Sequence, residues 1–287
     1  MFRGEKINRT EKRSVLHVAL RMGADESLVV PESDEGDAVK NVHAVLRRIH
    51  EFSERVRTHE VRGYSGRPLV NTLIIGIGGS YLGPEFVFEA LRTDEASKKA
   101  ATGRRLKFLA NVDPIDFSRA MEEFDIEETL VVINSKTFTT AETMLNARTV
   151  RNHIVQHYTK TYPDVQDPSA FVQAHMCAVS TNLPDTKKFG ILDERVFGFW
   201  DWVGGRFSVC SAVGVLPLAL HYGFSNVQAF LEGAKSMDEH FRNTKDLSKN
   251  LPMLLGLVGF YNNHVCGYAS RAVLPYCQAL LRFPAHI

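Results

Sequence analysis

Tryptophan and cysteine are scarce in this chain, net charge is nearly absent, and no apolar run is long enough to cross a bilayer. Its 287 residues include two tryptophans and four cysteines. Cys177, Cys210, Cys266 and Cys277 are widely spaced in apolar surroundings, which argues against a disulfide framework or a zinc site and predicts four buried, reduced thiols. The 34 basic residues are balanced by 33 acidic ones. That balance leaves no electrostatic footprint for nucleic acid or an anionic membrane, though a small anion needs only a few well-placed donors. The longest apolar stretch, Leu251 to Phe260, is short and contains Pro252 and two glycines. Met1 to Arg13 is charged and polar and has no apolar core of a secretory signal, so a cytoplasmic location is expected. Internal repeats, low-complexity tracts, a Walker sequence and a GxSxG elbow are all missing. His153 and His157 lie one helical turn apart without a HExxH pattern or a third ligand, so they read as a solvated helix face. The acidic run Glu32 to Asp37 reads as a solvated loop ahead of a helix.

What is present is ordinary globular composition, 44% hydrophobic and 23% charged, in an alternating βα pattern. Val42, Val45, Leu46, Ile49, Phe52 and Val56 recur at spacings of three and four, predicting an amphipathic helix over Asp37 to Val56. Leu69 to Ile77 is a short, β-branched apolar run ending in glycines, as a buried parallel strand entering a tight turn would be. Pro84 then suits the first turn of a following helix. Further strands are expected at Leu106 to Val112, Thr129 to Ile133, Met176 to Ser180 and Arg195 to Phe199, with helices at Pro114 to Phe124 and Ala141 to Tyr158. Repeated βα units without hairpin signals predict an α/β fold, a parallel sheet covered on both faces, with ligands at the carboxyl ends of the strands. Beyond Ser208 the pattern turns helical, over Ser208 to Tyr222, Asn226 to Phe241 and Leu251 to Cys266. A sixth strand is expected at Ser270 to Leu274, followed by a helix whose Leu280, Leu281, Phe283 and Ile287 would form an unpartnered apolar face.

Three segments carry candidate chemistry. Gly76 to Pro84, GIGGSYLGP, ends the first strand, where glycines let backbone amides approach an anion at a helix start. A dinucleotide fingerprint would need glycine where Tyr81 stands; a purely structural tight turn remains the alternative. Ser135 to Thr140, SKTFTT, gathers hydroxyls, amides and a lysine at a strand-to-helix junction, which suits a phosphate; a polar loop with a capping hydroxyl is the plainer reading. Phe199 to Gly214, FWDWVGGRFSVCSAVG, places Arg206 after paired glycines. There its permanent charge could face a developing anion, or could pair with Asp201 to hold the loop.

With GEKINRTEKRSVLHVALR near the start and LPYCQALLRF near the end, these motifs resemble the glucose-6-phosphate isomerase family in order and interval, across essentially the whole chain. The resemblance implies the sugar isomerase (SIS-type) domain, a helix-flanked parallel sheet, with the first copy complete and the second only begun. On that basis residues 1–36 would be an arm, 37–222 the sugar-phosphate-binding domain, and 223–287 a helical connection into the second domain. It implies that Gly79 and Ser80, together with Ser135, Lys136, Thr137 and Thr140, hold the substrate phosphate. Gly205 and Arg206 would lie beside the reacting carbons, Arg206 stabilising an enediolate. It further implies glucose 6-phosphate and fructose 6-phosphate as ligands, a homodimer in the intact protein, and no metal or organic cofactor. The family's glutamate base falls just beyond the region like Arg282 to Ile287, so the chain is expected to be an internal, truncated portion that binds sugar phosphate without the complete catalytic apparatus. Tyr81 stands where many members carry aspartate, and Arg9 where many carry an aromatic residue. The rival expectations are a non-catalytic regulatory module on the same domain and a nicotinamide-dependent dehydrogenase.

Overall fold

The computed structural model describes residues 1–30 and 36–287. Most of the acidic run noted above lies outside the described residues; its last member, Asp37, caps the first long helix. The Asp37 carboxylate accepts the N–H groups of Val39 and Lys40 and the Ser27 hydroxyl, which supplies the first-turn donors of helix α1, Ala38–Arg57, with a partner. Val39, Val42, Ile49, Phe52 and Val56 of this helix are buried, along the predicted stripe.

Five strands follow, β1 Asn71–Ile75, β2 Arg105–Leu109, β3 Thr129–Asn134, β4 Met176–Val179 and β5 Val196–Phe197, all parallel, in the order β2-β1-β3-β4-β5. β1 and β3 pair level, Asn71 with Thr129 through Ile75 with Ile133. Alternate strand residues enter two cores, because successive side chains leave opposite faces of a pleat. Ile74, Leu130, Val132, Cys177 and Val179 pack on the side of α1, and Leu73, Ile75, Val131, Ile133 and Ala178 pack on the other. Helices α2, Gly79–Leu91, α3, Glu95–Ala100, α4, Pro114–Met121, α5, Ala141–Thr161, α6, Ser169–His175, and α7, Leu183–Phe189, connect the strands. After β5 come α8, Ala212–Tyr222, α9, Phe224–Asn243, α10, Leu251–Phe260, and the short α11, Phe283–His286. Every residue of α8 is buried, and Val227 and Leu231 of α9 join the same core as Leu16, Ala19 and Leu20 of the N-terminal segment.

The helical and strand assignments hold in position, with differences that have local causes. Pro84 is interior to α2 rather than in its first turn, since the helix starts at Gly79, immediately after the glycine turn. The short helices α3, α6 and α7 were not anticipated; α3 and α7 are capped by Asp94 and Asn182, whose side chains accept from Ser97 and Asp185 N–H. Ser270 to Leu274 is not a strand: it runs without ladder partners, and an extended segment needs a neighbouring edge to become one. The expected helix through Cys266 ends at Phe260 and widens into a π-type turn over Tyr261–Val265. Cys177 and Cys210 are buried as predicted, but Cys266 and Cys277 are exposed, because little covers the chain beyond α10. Leu255 and Phe260 on α10 and Leu274 and Tyr276 beyond it are also exposed. Leu281 and Ile287 are exposed as well, whereas Phe283 meets Phe86 of α2 at 5.3 Å between ring centroids. Among the described residues no helix is long and apolar enough to cross a membrane.

At the amino-terminal side of the sheet, His175 is fully buried with all its ring valences used. Nδ1–H donates to the Thr129 carbonyl at 2.8 Å, and Nε2 accepts from Tyr64 N–H at 3.0 Å and the Tyr158 hydroxyl at 2.8 Å. Burial disfavours the imidazolium and pushes its pKa down to about 4. The same cause takes His221 to about 4. A folded-state pKa below the unfolded value means that the unfolded chain binds the extra proton first. The stability is therefore complete above about pH 6.5 and is lost as pH falls toward about 4, amounting for His175 to roughly 3 kcal/mol over the full shift. The melting temperature is expected to drop steadily across that window, and His175→Gln, which has no titrating ring, is expected to make the drop shallower by its share, with His221 still titrating. A parent Tm constant between pH 6.5 and 4.5 would contradict the assignment.

Candidate functional site at the carboxyl ends of the strands

Strand β1 runs out into Gly76, whose missing Cβ is filled space: a methyl there would meet the Ser80 carbonyl oxygen at 2.9 Å and Asn134 Cβ at 3.2 Å. Gly78 makes the turn with φ 58°, a conformation that side chains rarely adopt. α2 then begins at Gly79 with no side-chain cap. From the neighbouring strand, β3 passes through Asn134 and Ser135 into the loop ahead of α5, whose N-cap residue Thr140 also makes no side-chain cap bond. The capping role considered for the loop hydroxyls is thus not what Thr140 does. Two helices of 13 and 21 residues thus follow the adjacent strands β1 and β3 with no side-chain cap on either.

The Ser135 to Thr140 loop is held from several directions. The Lys136 carbonyl accepts from Thr181 N–H at 3.0 Å, Thr181 Oγ1 at 2.9 Å and Ser180 Oγ at 3.1 Å, and the Thr137 carbonyl accepts from Asn182 Nδ2 at 2.8 Å. Phe138 sits in the left-handed region, φ 57°, buried against Phe189 at 5.5 Å, so the loop turns its one large apolar residue inward. Thr137 and Thr140 are exposed, Thr139 Oγ1 donates to Thr137 Oγ1 at 2.7 Å, and Lys136 is half-buried. Ser135 is buried, and its Oγ has no hydrogen-bond partner among the described residues, an arrangement that costs free energy unless something accepts from it.

The third segment folds over the first two. A Cβ on Gly79 would lie 2.6 Å from the Gly205 carbon and oxygen, so these two glycines bring separate backbones into direct contact. Ser208 Oγ donates to the Gly79 carbonyl at 3.4 Å. Lys136 Nζ pairs with Asp201 Oδ1 at 2.9 Å, and Arg13 donates to the Asp201 carbonyl at 2.7 Å. Asp201 therefore serves Lys136 and not Arg206. The exposed Arg206 opens a short 3₁₀ turn over Arg206–Cys210 and has no ion pair among the described residues. Its neighbour Phe207 stacks on His17 at 4.7 Å. Trp200 and Trp202 stack on each other at 4.8 Å on either side of Asp201.

All eight residues singled out from the sequence thus fall on three loops at one end of the sheet. Gly79 and Gly205 touch, and Lys136 is tied to the Gly205 segment through Asp201. Tyr81 turns aside: its ring lies edge-on to Phe108 at 5.4 Å, its hydroxyl accepts from Arg282 at 3.3 Å, and burial beside Glu85 raises its pKa to about 12. His157 is engaged with Glu127 at 3.0 Å and His153 packs edge-on to Phe117 at 5.8 Å, so neither is simply solvated. Among the described residues no group of three or more histidine, cysteine, aspartate or glutamate side chains could hold a metal. Sequence reasoning missed Asn134 and the second role of Asp201. The signal for Asn134 was an amide ending an otherwise apolar strand, TLVVIN.

The family model described as phosphoglucose isomerase matches residues 1–287. The chain is 54% identical over 287 residues to "Glucose-6-phosphate isomerase, cytosolic A" of Oryza sativa subsp. japonica and 53% identical to the cytosolic glucose-6-phosphate isomerase of Spinacia oleracea, covering 100% of this chain and 48% of each relative. A crystal structure of a glucose-6-phosphate isomerase from Chlamydia trachomatis superposes with a TM-score of 0.76 at 30% identity, over 99% of this chain and 50% of that one. The chain spans about half the length of the curated relatives it matches.

Because the Gly79–Gly205 contact leaves no room for a methyl group, Gly79→Ala is expected to destabilise the fold by about 1–3 kcal/mol. Gly198→Ala, where nothing lies within 4 Å, is expected to be close to neutral. Urea melts of the two variants check this; equal midpoints would show that the loops part freely.

Proposed function

As the chain belongs to the phosphoglucose isomerase family, we propose that it supplies the sugar-phosphate-binding half of an enzyme that interconverts glucose 6-phosphate and fructose 6-phosphate. The observation that carries this reading is the start of two helices without side-chain caps after the adjacent, level strands β1 and β3, with Lys136 and the Ser135 hydroxyl, unpartnered among the described residues, on the loop between β3 and α5. The Ser80 N–H is given to the Ile77 carbonyl at 3.2 Å, so a phosphate dianion would accept from the Gly79 amide and from the hydroxyls of Ser80, Ser135, Thr137 and Thr140, and would draw Lys136 from Asp201. These partners need no global positive charge, in keeping with the balanced composition.

Aldose–ketose exchange removes a proton beside the carbonyl and returns it one carbon away, leaving an enediolate in between. Gly205 touches Gly79 and Arg206 follows it directly, so a sugar anchored by its phosphate at α2 and α5 would extend toward the Arg206 guanidinium, which stays charged and has no ion pair among the described residues. The proton transfer itself requires a carboxylate within reach of both carbons. Glu85 is committed to Arg282, and Asp201 lies beside Lys136 on the phosphate side of the site, so we assign this chain the binding and charge-stabilising roles rather than the base. A cytosolic location and a homodimeric intact protein belong to the same proposal, supported by the names of the relatives for the first and by the exposed apolar residues beyond α10 for the second.

The stacked tryptophans flanking Asp201 make a natural reporter. Titration with glucose 6-phosphate is expected to change their fluorescence saturably, and Lys136→Ala is expected to weaken binding about tenfold, the loss of one charge-assisted bond of roughly 1.5 kcal/mol. Arg206→Ala is expected to leave phosphate affinity nearly intact. No saturable response in fluorescence or in Tm at millimolar ligand would refute the proposal.

A further inference from the structure

Two prolines lie inside helices that flank the site, Pro84 in α2 and Pro217 in α8. A proline has no N–H, so the carbonyl four residues earlier loses its helical partner. For Pro84 that carbonyl belongs to Ser80, and for Pro217 to Val213. One side chain serves both: Asn134 Nδ2 donates to the Ser80 oxygen at 3.2 Å and to the Val213 oxygen at 3.1 Å. Asn134 is the last residue of β3, 1% exposed, and its two amide hydrogens are matched to the two carbonyls that the prolines leave open. Gly76 allows this approach, since a side chain there would collide with both Ser80 and Asn134.

We propose that Asn134 is a positioning residue for the phosphate site: by holding the Ser80 carbonyl it sets the glycine turn and the start of α2 against the Ser135 to Thr140 loop, to which it is covalently joined. It touches no ligand and acts through Ser80 and Ser135. The inference rests on the reading of those two residues as phosphate donors. A role limited to core stability would make the two carbonyls equivalent. A positioning role makes them different, because Ser80 lies in the site's own turn while Val213 lies in a buried helix.

The test measures Tm and glucose 6-phosphate affinity, by tryptophan fluorescence, for the 287-residue chain and for N134A, N134A/P84A and N134A/P217A. N134A is expected to melt about 5 °C lower and to bind at least threefold more weakly, since two buried carbonyls lose their donor. Pro84→Ala returns an N–H to the Ser80 carbonyl and is expected to recover part of both losses. Pro217→Ala does the same for Val213 and is expected to recover Tm without affinity. Affinity unchanged in N134A, or restored equally by either proline replacement, overturns the positioning role while leaving phosphate binding in place. A parent chain that binds no glucose 6-phosphate overturns the binding reading and this inference together. Should N134A not fold, N134S, with one donor instead of two, replaces it in the same comparison.

Discussion

Ile75 and Ile133 stand level in the parallel pairing of β1 with β3, and the site depends on that registry. Because the two strands end at the same height, the turns that follow them emerge side by side, and each leads within a few residues to the start of a helix. In the order β2-β1-β3-β4-β5 the connections from β1 and β3 depart to opposite sides, which opens the crevice where open parallel sheets place their ligands. Displacing β3 by one residue would turn Asn134 and Ser135 to the wrong faces. It would separate the two helix starts and strand the polar end of β3 in an apolar layer.

From this pairing the remaining contacts follow as backbone and charge accounting. Prolines in α2 and α8 open two carbonyls, and the strand end between those helices carries a short amide side chain with two donors on one nitrogen, at hydrogen-bonding distance from both. Glycines stand where backbones meet, Gly76 against the Ser80 carbonyl and Gly79 against Gly205. The loop of Lys136 hangs from Ser180, Thr181 and Asn182 at the end of β4 and is pinned below by Phe138. Asp201 meets Lys136, so the cation of the Ser135 to Thr140 loop has an anionic partner, whereas Arg206 has none among the described residues.

Much of this was legible beforehand. The strands, the long helices and the three chemical segments were readable because hydrophobic period and glycine or proline chemistry act over a few neighbouring positions. Pro84 shows where local reading stopped. Assigned to a first helical turn, it would leave no carbonyl open; one turn deeper, it does, and Asn134 acquires a purpose. Ser270 to Leu274 shows the reverse case, a segment expected to be a strand that has no edge to join.

The sequence by itself determined the α/β alternation, the order of the three loops and the residue types that suit an anion, since those properties reside in contiguous residues. Tertiary structure alone decided that Asp201 pairs with Lys136 rather than Arg206, that Gly79 rests on Gly205, and that one asparagine answers two prolines. Each of these joins residues dozens of positions apart, and only the packing of helices on both faces of the sheet sets their distances.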